Sequence, residues 1–556
     1  MELLDSRRLP GANILWERPC AVIDIAAEGA ERDALIARWE TEVRRRLDAV
    51  GWTAEGTCVR TFDGGASLAL SAPLDALYAA TEVNESAFAA AHAQLRGEPA
   101  PDFATDLARL RTEIDSESNP ALLALQRAAH EHGVAFLSDD DLVSVGLGTG
   151  SQTWPVGELP APNELDWSAL HDVPTALVTG TNGKTTTIRL LSAIAEAAGK
   201  LPGVTSTDRV RVGNDVLEQG DWSGPGGARR VLRDTRTEIG LLETARGGML
   251  RRGLALEHCD VSCVLNVGAD HLGEWGVGSL AGLAEGKLTV TRVAPVVVLC
   301  ADDEVLVESA AKLSREVIWF GLNPANPTLS RHLRAGGRAC VLEDDVLWLR
   351  HGDERRRVLR ADEIPITLGG AARYNTSNAL AAAALADVLG FTIDEIRAGL
   401  GSFENSPANN PGRLNCFQRD GAHVIVDFAH NPHGLEATFE MARALPAERR
   451  LILLGQAGDR DDDSIREMAR LTAAARLDMI VIKELTGYLR GRPLGEVPAL
   501  IEHELRAAGT PPDRFVHCAS ELDAAHWALD WSRPGDLLLL LTHDSRDEIL
   551  ALLENE

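Results

Sequence analysis

The run Thr179-Gly180-Thr181-Asn182-Gly183-Lys184-Thr185-Thr186-Thr187 constrains the fold more than any other part of the chain. A short β-rich segment, TALVTG, leads into it. TTTIRLLSAIAEAAG follows with helical spacing and stops at Gly199. A strand that turns through glycines into a helix is the setting a phosphate-binding loop requires. Glycine lets backbone N–H groups turn toward an anion, and the helix N-terminus adds positive potential. Gly180, Thr181, Asn182, Gly183, Lys184, Thr185 and Thr186 are therefore candidate nucleotide contacts. Lys184 is placed to reach β- and γ-phosphates, and the Thr185 hydroxyl suits Mg²⁺. Strict Walker spacing would put glycine where Val178 stands, so the loop is a variant. The alternative is a glycine-rich turn with a chance GKT; the agreement of strand, loop and helix argues against it.

Such a loop needs a parallel sheet around it. IGLLETARGG, VSCVLNVGADH and VVVLCADDE each read as a strand whose carboxyl end carries acidic or histidine residues. A doubly wound sheet builds its sites at those ends. SNALAAAALADVLG, from Ser377, reads as an Ala-rich helix. Residues 166–408 form this central unit. Residues 409–556 repeat the rhythm in HVIVDFAH, RLILLGQAGD, LDMIVIKE, DRFVHCAS and DLLLLLTHD, a second, Rossmann-like α/β unit. Residues 1–165 mix strands (CAVIDIAA, SLALSAPL) with helices (ERDALIARWETEVRRRLDAV, NPALLALQRAAHEHG), an α+β unit. VAFLSDDDLV reads as one strand after the second helix. GLGTGSQTWPVGELPAPNELDW, rich in Gly, Pro and Ser, reads as a linker.

At 556 residues the chain has length for several domains. Asp plus Glu number 83 against 55 Lys plus Arg, a net charge of −28, which disfavours a nucleic-acid partner. No apolar run approaches the roughly 18–20 residues of a membrane helix. The start, MELLDSRRLPG, lacks the order of a secretory signal. The eight cysteines show no CxxC spacing; Cys259 and Cys263 read as core. A cytoplasmic protein is the expectation.

TGTNGKTTT resembles the loop of the Mur ligase superfamily. GVTSTD (203–208), GDWSGPGGAR (220–229), LETARGGMLRRGL (242–254), NVGADHLG (266–273) and ADDE (301–304) are similar to the Mur-type half of cyanophycin synthetase. NNPGRLN (409–415), DFAHNP (427–432) and GDRDDD (458–463) continue the likeness in the same order. LLDSRRLPGANIL (3–15) and the stretch 119–148 resemble the opening of that enzyme and its lead-in to an ATP-grasp domain. About 30 residues then separate the lead-in from the phosphate loop, too few to hold an ATP-grasp domain. Cyanophycin is a polyaspartate backbone with arginine on its side chains. The resemblance implies an ATP-dependent ligase that makes an amide through an acyl phosphate, and here only the side-chain kind of reaction.

The resemblance also assigns residues. Glu243 and His271 would ligate metal with Thr185, two Mg²⁺ ions in all. A helix-capping or solvated Glu243 and a hydrogen-bonded His271 are the alternatives. Asp270 would orient its loop or interact with the metal through water. Lys287, in AEGKLTV, lies where many Mur ligases carry a carbamylated lysine, the alternative being a lysine in a salt bridge. Asn375 and Asn378 would contact adenine, or Asn375 would cap a helix. Arg413 would reach the ATP phosphates on domain closure, and Asp427 the ribose or a metal-bound water. His430 would lie near the nucleotide or the reaction centre, or be an N-cap or structural histidine. Lys184, Glu243, His271, Lys287, Arg413 and His430 make up the catalytic set. For the incoming amino acid, arginine or lysine, Asp461 and Asp462 would hold the cation, or form a solvated turn. Arg490 and Arg492 would pair with its α-carboxylate.

An active ligase joining that amino acid to an aspartyl or similar peptide acceptor is the first expectation. The alternative is a non-catalytic partner subunit of a full-length cyanophycin synthetase. LETARGG and SGPGGAR look less like the peptidoglycan or folate ligases. A homo-oligomer, or association with a cyanophycin synthetase, is compatible with either reading.

Overall fold

The computed structural model describes residues 1–270 and 273–554. His271, one of the expected metal ligands, lies outside them. The chain opens with a four-stranded antiparallel sheet in the order Glu2–Leu9, Cys20–Ala26, Gly65–Ser71, Thr57–Phe62. Helices Gly29–Ala49 and Leu77–Arg96 cover one face and bury Leu35, Trp39, Val43 and Val83. Asn84 satisfies this core's polar groups. Its Oδ1 accepts from Trp39 Nε1 (2.9 Å), and its Nδ2 donates to the carbonyls of Ala21 and Leu68 (3.2 and 2.9 Å).

Two expectations change in the next stretch. VAFLSDDDLV is two strands, Phe136–Ser138 and Leu142–Val145, not one. Asp139 turns the chain between them, its Oδ1 accepting from the N–H groups of Asp141 and Leu142. The presumed linker contributes a third strand, Gln152–Pro155, to the same small sheet. Its Trp154, Leu165 and Trp167 pack on helix Pro120–His132. Apolar side chains spaced along a polar segment account for this ordering.

The central sheet has eleven strands. Its middle is parallel, in the order Pro202–Thr205, Ile239–Glu243, Thr175–Thr179, Val261–Val264, Val296–Cys300, Glu316–Gly321, Arg338–Glu343. Antiparallel strands extend both edges. The outermost on one side, Glu354–Arg360, carries four arginines, which suits an unpaired edge. Strand Thr175–Thr179 has both neighbours parallel and is wholly buried, as its apolar centre Ala176–Val178 demands. Helices Lys184–Ala197 and Arg373–Val388 pack on the sheet, the second through alanines Ala379 and Ala381–Ala384 that let it lie close.

A six-stranded sheet closes the chain: Asn415–Arg419, Ala422–Asp427, Leu537–Leu541, Arg450–Leu454, Met479–Lys483, Phe515–Cys518. All pairs but the first are parallel. The run Leu537–Leu541 is one buried strand, and Cys259 and Cys263 are core residues, as read from sequence. Among the described residues no helix is long and apolar enough to cross a membrane.

Candidate active site

The phosphate loop closes the carboxyl end of strand Thr175–Thr179 and opens helix Lys184–Ala197. Gly183 turns it with φ +87°, and a Cβ there would sit 2.3 Å from Asn378 Oδ1. Both facts require glycine. The loop after strand Val261–Val264 clamps the turn. Asn182 N–H donates to Asn266 Oδ1 (2.9 Å), and Asn266 Nδ2 donates back to the Asn182 carbonyl (3.1 Å). Gly268 N–H donates to Thr181 Oγ1 (2.9 Å). Lys184 curls over the turn and donates to the carbonyls of Gly180 and Thr181, both at 3.1 Å. Thr186 is buried in the first helical turn.

Glu243 ends the neighbouring strand, in register with Val178. It is buried, caps no helix and is not solvated. Its Oε2 accepts from Thr185 Oγ1 at 2.8 Å, while Oε1 is buried with no partner among the described residues. An orphaned buried carboxylate oxygen is costly, so its presence needs a reason. Burial pushes the Glu243 carboxyl up, and Lys184 and Arg413 oppose that push. A hydroxyl, a carboxylate with one open oxygen and a phosphate loop beside them are the hard donors Mg²⁺ takes. Among the described residues no three His, Cys, Asp or Glu side chains are placed to hold one metal ion. Mg²⁺ does not require such a trio, because it retains waters and shares phosphate oxygens.

The two α/β sheets meet at Asp208, which closes GVTSTD. Its carboxylate accepts from Arg189 (2.8 Å) on the phosphate-loop helix and from Arg413 (3.1 Å) and Arg546 (2.8 Å) beyond the interface. Burial tends to raise Asp208, but Arg413 and Arg189 hold it below the usual carboxylate range. Arg413 also donates to Thr207 Oγ1 (3.0 Å) and lies over the Phe428 ring. A second bridge forms around Asn182 and Asn431, which exchange side-chain amide bonds at 3.0 Å. A third joins Asp270 to Arg460. His430 Nε2 is 3.6 Å from Asp270 Oδ2; the N-cap of the following helix is Asn431, not His430. Both oxygens of Asp427 accept backbone N–H groups, from Leu414 (2.9 Å) and Ala429 (3.0 Å), and burial raises its carboxyl to about 6.

Lys287 ends helix Leu280–Lys287 and is buried. It makes no hydrogen bond or ion pair among the described residues, so the salt-bridge alternative is overturned. Burial, with Lys184 and Arg246 nearby, pulls its ammonium down to about 7. Asn375 caps nothing either: it lies inside helix Arg373–Val388, donates to the Ile366 carbonyl and accepts from Asn378 Nδ2 (3.0 Å). That contact aims Asn378 at Gly183.

The acidic loop is occupied by its own structure. Asp461 is the N-cap of helix Asp462–Ala475 and accepts from Ser464. Asp462 pairs with Arg492 (2.8 Å) and Arg466 (3.1 Å). Arg492 also pairs with Glu496 and donates to the carbonyls of Gly458 and Arg460, making it a strut of the loop. Arg490 is exposed, beside the Tyr488 ring. The sequence reading had passed over Asp208, Arg189, Arg546 and Arg460. Arg189 alone left a signal: an arginine among the apolar positions of a buried helix.

Two family models match this architecture. Residues 178–386 match the Mur ligase middle domain, and residues 412–542 match the Mur ligase, glutamate ligase domain. The chain therefore contains a Mur ligase middle domain and a Mur ligase glutamate ligase domain. Among curated proteins, the cyanophycin synthetase of Trichormus variabilis is 39% identical over 372 residues, 66% of this chain and 41% of its own length. The chain thus spans about two fifths of the length of that relative. The UDP-N-acetylmuramate–L-alanine ligase of Stenotrophomonas maltophilia is 28% identical, over 66% of this chain and 70% of its own. Among solved structures, Escherichia coli FolC in complex with DHPP and ADP aligns with TM-score 0.51 and 19% identity, over 69% of this chain and 89% of that one. This last likeness concerns the fold.

Proposed function

We propose that this protein is an ATP-dependent amide ligase. Glu243 carries the reading: a buried carboxylate held by Thr185, with its second oxygen open beside Lys184. Gly180–Thr186 would cradle the phosphates, and Asn375 and Asn378 would line the adenine side. Thr185 and Glu243 would hold Mg²⁺, which supplies charge neutralisation at the transferring phosphoryl group. An oxygen of the acceptor carboxylate attacks the γ-phosphorus and ADP leaves. The neutral amine then attacks the acyl carbon, phosphate departs, and the nitrogen loses its proton. Lys184 and Arg413 stabilise the accumulating negative charge. The Asp208 and Asn182–Asn431 bridges hold the domains together and keep water from the acyl phosphate. A lysine that titrates near 7 is largely neutral at physiological pH, and a neutral amine is the form that takes up CO₂. This supports carbamylation of Lys287.

The likeness to proteins named cyanophycin synthetase supports a basic amino acid, arginine or lysine, and an aspartyl peptide acceptor. Asp461 and Asp462 are engaged elsewhere, so the cation is read by other groups. The test is phosphate release with ATP and Mg²⁺ across a matrix of amino acids and aspartyl peptides, with mass spectrometry of each positive. An acceptor heavier by one amino-acid residue is the expected result. ATP binding without product in any combination would sink the ligase reading in favour of a partner subunit.

A further inference from the structure

Arg246 has no role in the chemistry above. It stands three residues beyond Glu243, at the start of the short helix Arg246–Arg252, and is only 8% exposed. Its Nη2 pairs with Glu274, but Nη1 is buried with no hydrogen-bond partner among the described residues. A buried guanidinium N–H without an acceptor is as anomalous as the open oxygen of Glu243. Arg246 adds to a positive field with Lys184 and Lys287, the buried lysine that responds to both. Glu243, Glu274 and Asp270 are the acidic groups facing this cluster from adjacent elements.

The segment that carries Glu274 is built with unusual care. Glu274 and Val277 close a tight turn through a β-bridge. Trp275 sits at its tip with φ +47°, a conformation rare for an aromatic residue, 5.8 Å from the Arg246 guanidinium. The N-terminal sheet braces the turn from behind. A Cβ on Gly276 would meet the Phe62 ring at 2.4 Å, Arg60 donates to the Gly276 carbonyl (3.2 Å), and Arg60 pairs with Glu285 (3.0 Å). The strain at Trp275 is thus held by a separate sheet, and the turn fixes one edge of the Arg246 guanidinium while leaving the other edge open.

We propose that Arg246 binds a second, non-reacting carboxylate of the acceptor, and that Arg60 positions the turn that aims it. The acceptor class is therefore a peptide or small molecule with at least two carboxylates. A planar fork with one free edge suits a carboxylate better than an ammonium would. This inference rests on the ligase reading and narrows it.

The experiment compares the dipeptide alanyl-aspartate, which carries two carboxylates, with its C-terminal amide, which keeps only the side-chain one, for the wild type and for Arg246→Gln and Arg246→Lys. The wild type should favour the free acid at least tenfold in kcat/KM. Arg246→Gln should cut that preference below threefold while KM for ATP stays within threefold. Arg246→Lys, which keeps the charge and most of the volume, should fall between and carries the comparison if the glutamine variant does not fold. Arg60→Ala should weaken the preference without changing KM for ATP. An undiminished preference in the Arg246 variants overturns the proposal while leaving the ligase intact. If the wild type joins nothing to either peptide, the ligase reading is left to the acceptor matrix above. Calorimetric titration of the same two peptides in the presence of ADP then decides: equal binding by wild type and Arg246→Gln overturns the carboxylate site.

Discussion

Lys184 bonds two carbonyls of its own loop, neutral acceptors that a phosphate outcompetes because it adds full Coulombic attraction to the hydrogen bond. Lys184→Ala should lower the ligation rate by about 10²–10³-fold, the typical worth of one preorganised charge partner, without shifting the thermal unfolding midpoint. Unchanged turnover would remove the loop from the mechanism. A second group sets a pH dependence of stability. Burial, with Lys483 close by, pulls the His543 imidazole down to about 3. It stays neutral in the fold, whereas an unfolded chain protonates its histidines below about 6.5. Its contribution is complete above that pH and falls as pH drops toward 3, by up to about 1.4 kcal/mol per unit. Glu521, held down to about 2 against its burial by the Lys483 ammonium, adds a loss of the same sign below about 4.5. Urea titrations should therefore give a steep fall in stability between pH 6.5 and 4.5 that flattens in His543→Gln. An equally steep fall in the variant would assign it to other groups.

At the scale of elements, the turn from strand to helix was legible because it rests on local rules: apolar residues before the glycines, helical spacing after them. Gly183 meets two such demands at once. Gly183→Ala should cost about 1–3 kcal/mol of stability from the left-handed backbone alone, and should displace Asn378. Thermal unfolding and ADP titration together check this; a variant that keeps both wild-type values would show that the contact yields freely. The parallel strands were equally readable, since burial on both faces writes continuous apolar runs such as LLLLL. Segment 134–156 was misread because three- and four-residue strands carry almost no periodicity. The turn at Asp139 depends on one side chain bonding backbone two and three residues on. Asp461 and Asp462 show the same limit. Acidic residues at a strand end look like a cation site until a helix begins among them and an arginine thirty positions away claims one.

On the scale of the whole molecule, what the sequence hid is pairing across large separations. Asp208 meets Arg413 and Arg546 only because two sheets come face to face. Asp208→Asn would leave three guanidiniums without their shared anion. Breaking a buried charge network in this way costs about 3–5 kcal/mol. The expected outcome is a lower unfolding midpoint and, in small-angle scattering, a larger radius of gyration as the C-terminal domain swings free. A variant of wild-type size and stability would show that the other two bridges suffice. The central sheet carries one more consequence. Strand Thr175–Thr179 lies between two parallel neighbours, with further strands beyond them on both sides, whereas Asp215–Gln219 forms an outer rim. In deuterium exchange the backbone amides of Ala176–Val178 should label on the timescale of global unfolding, and those of the rim within the first local openings. The turn that meets the nucleotide would then hang from the last part of the molecule to come apart, and its shape would outlast the fraying of everything around it.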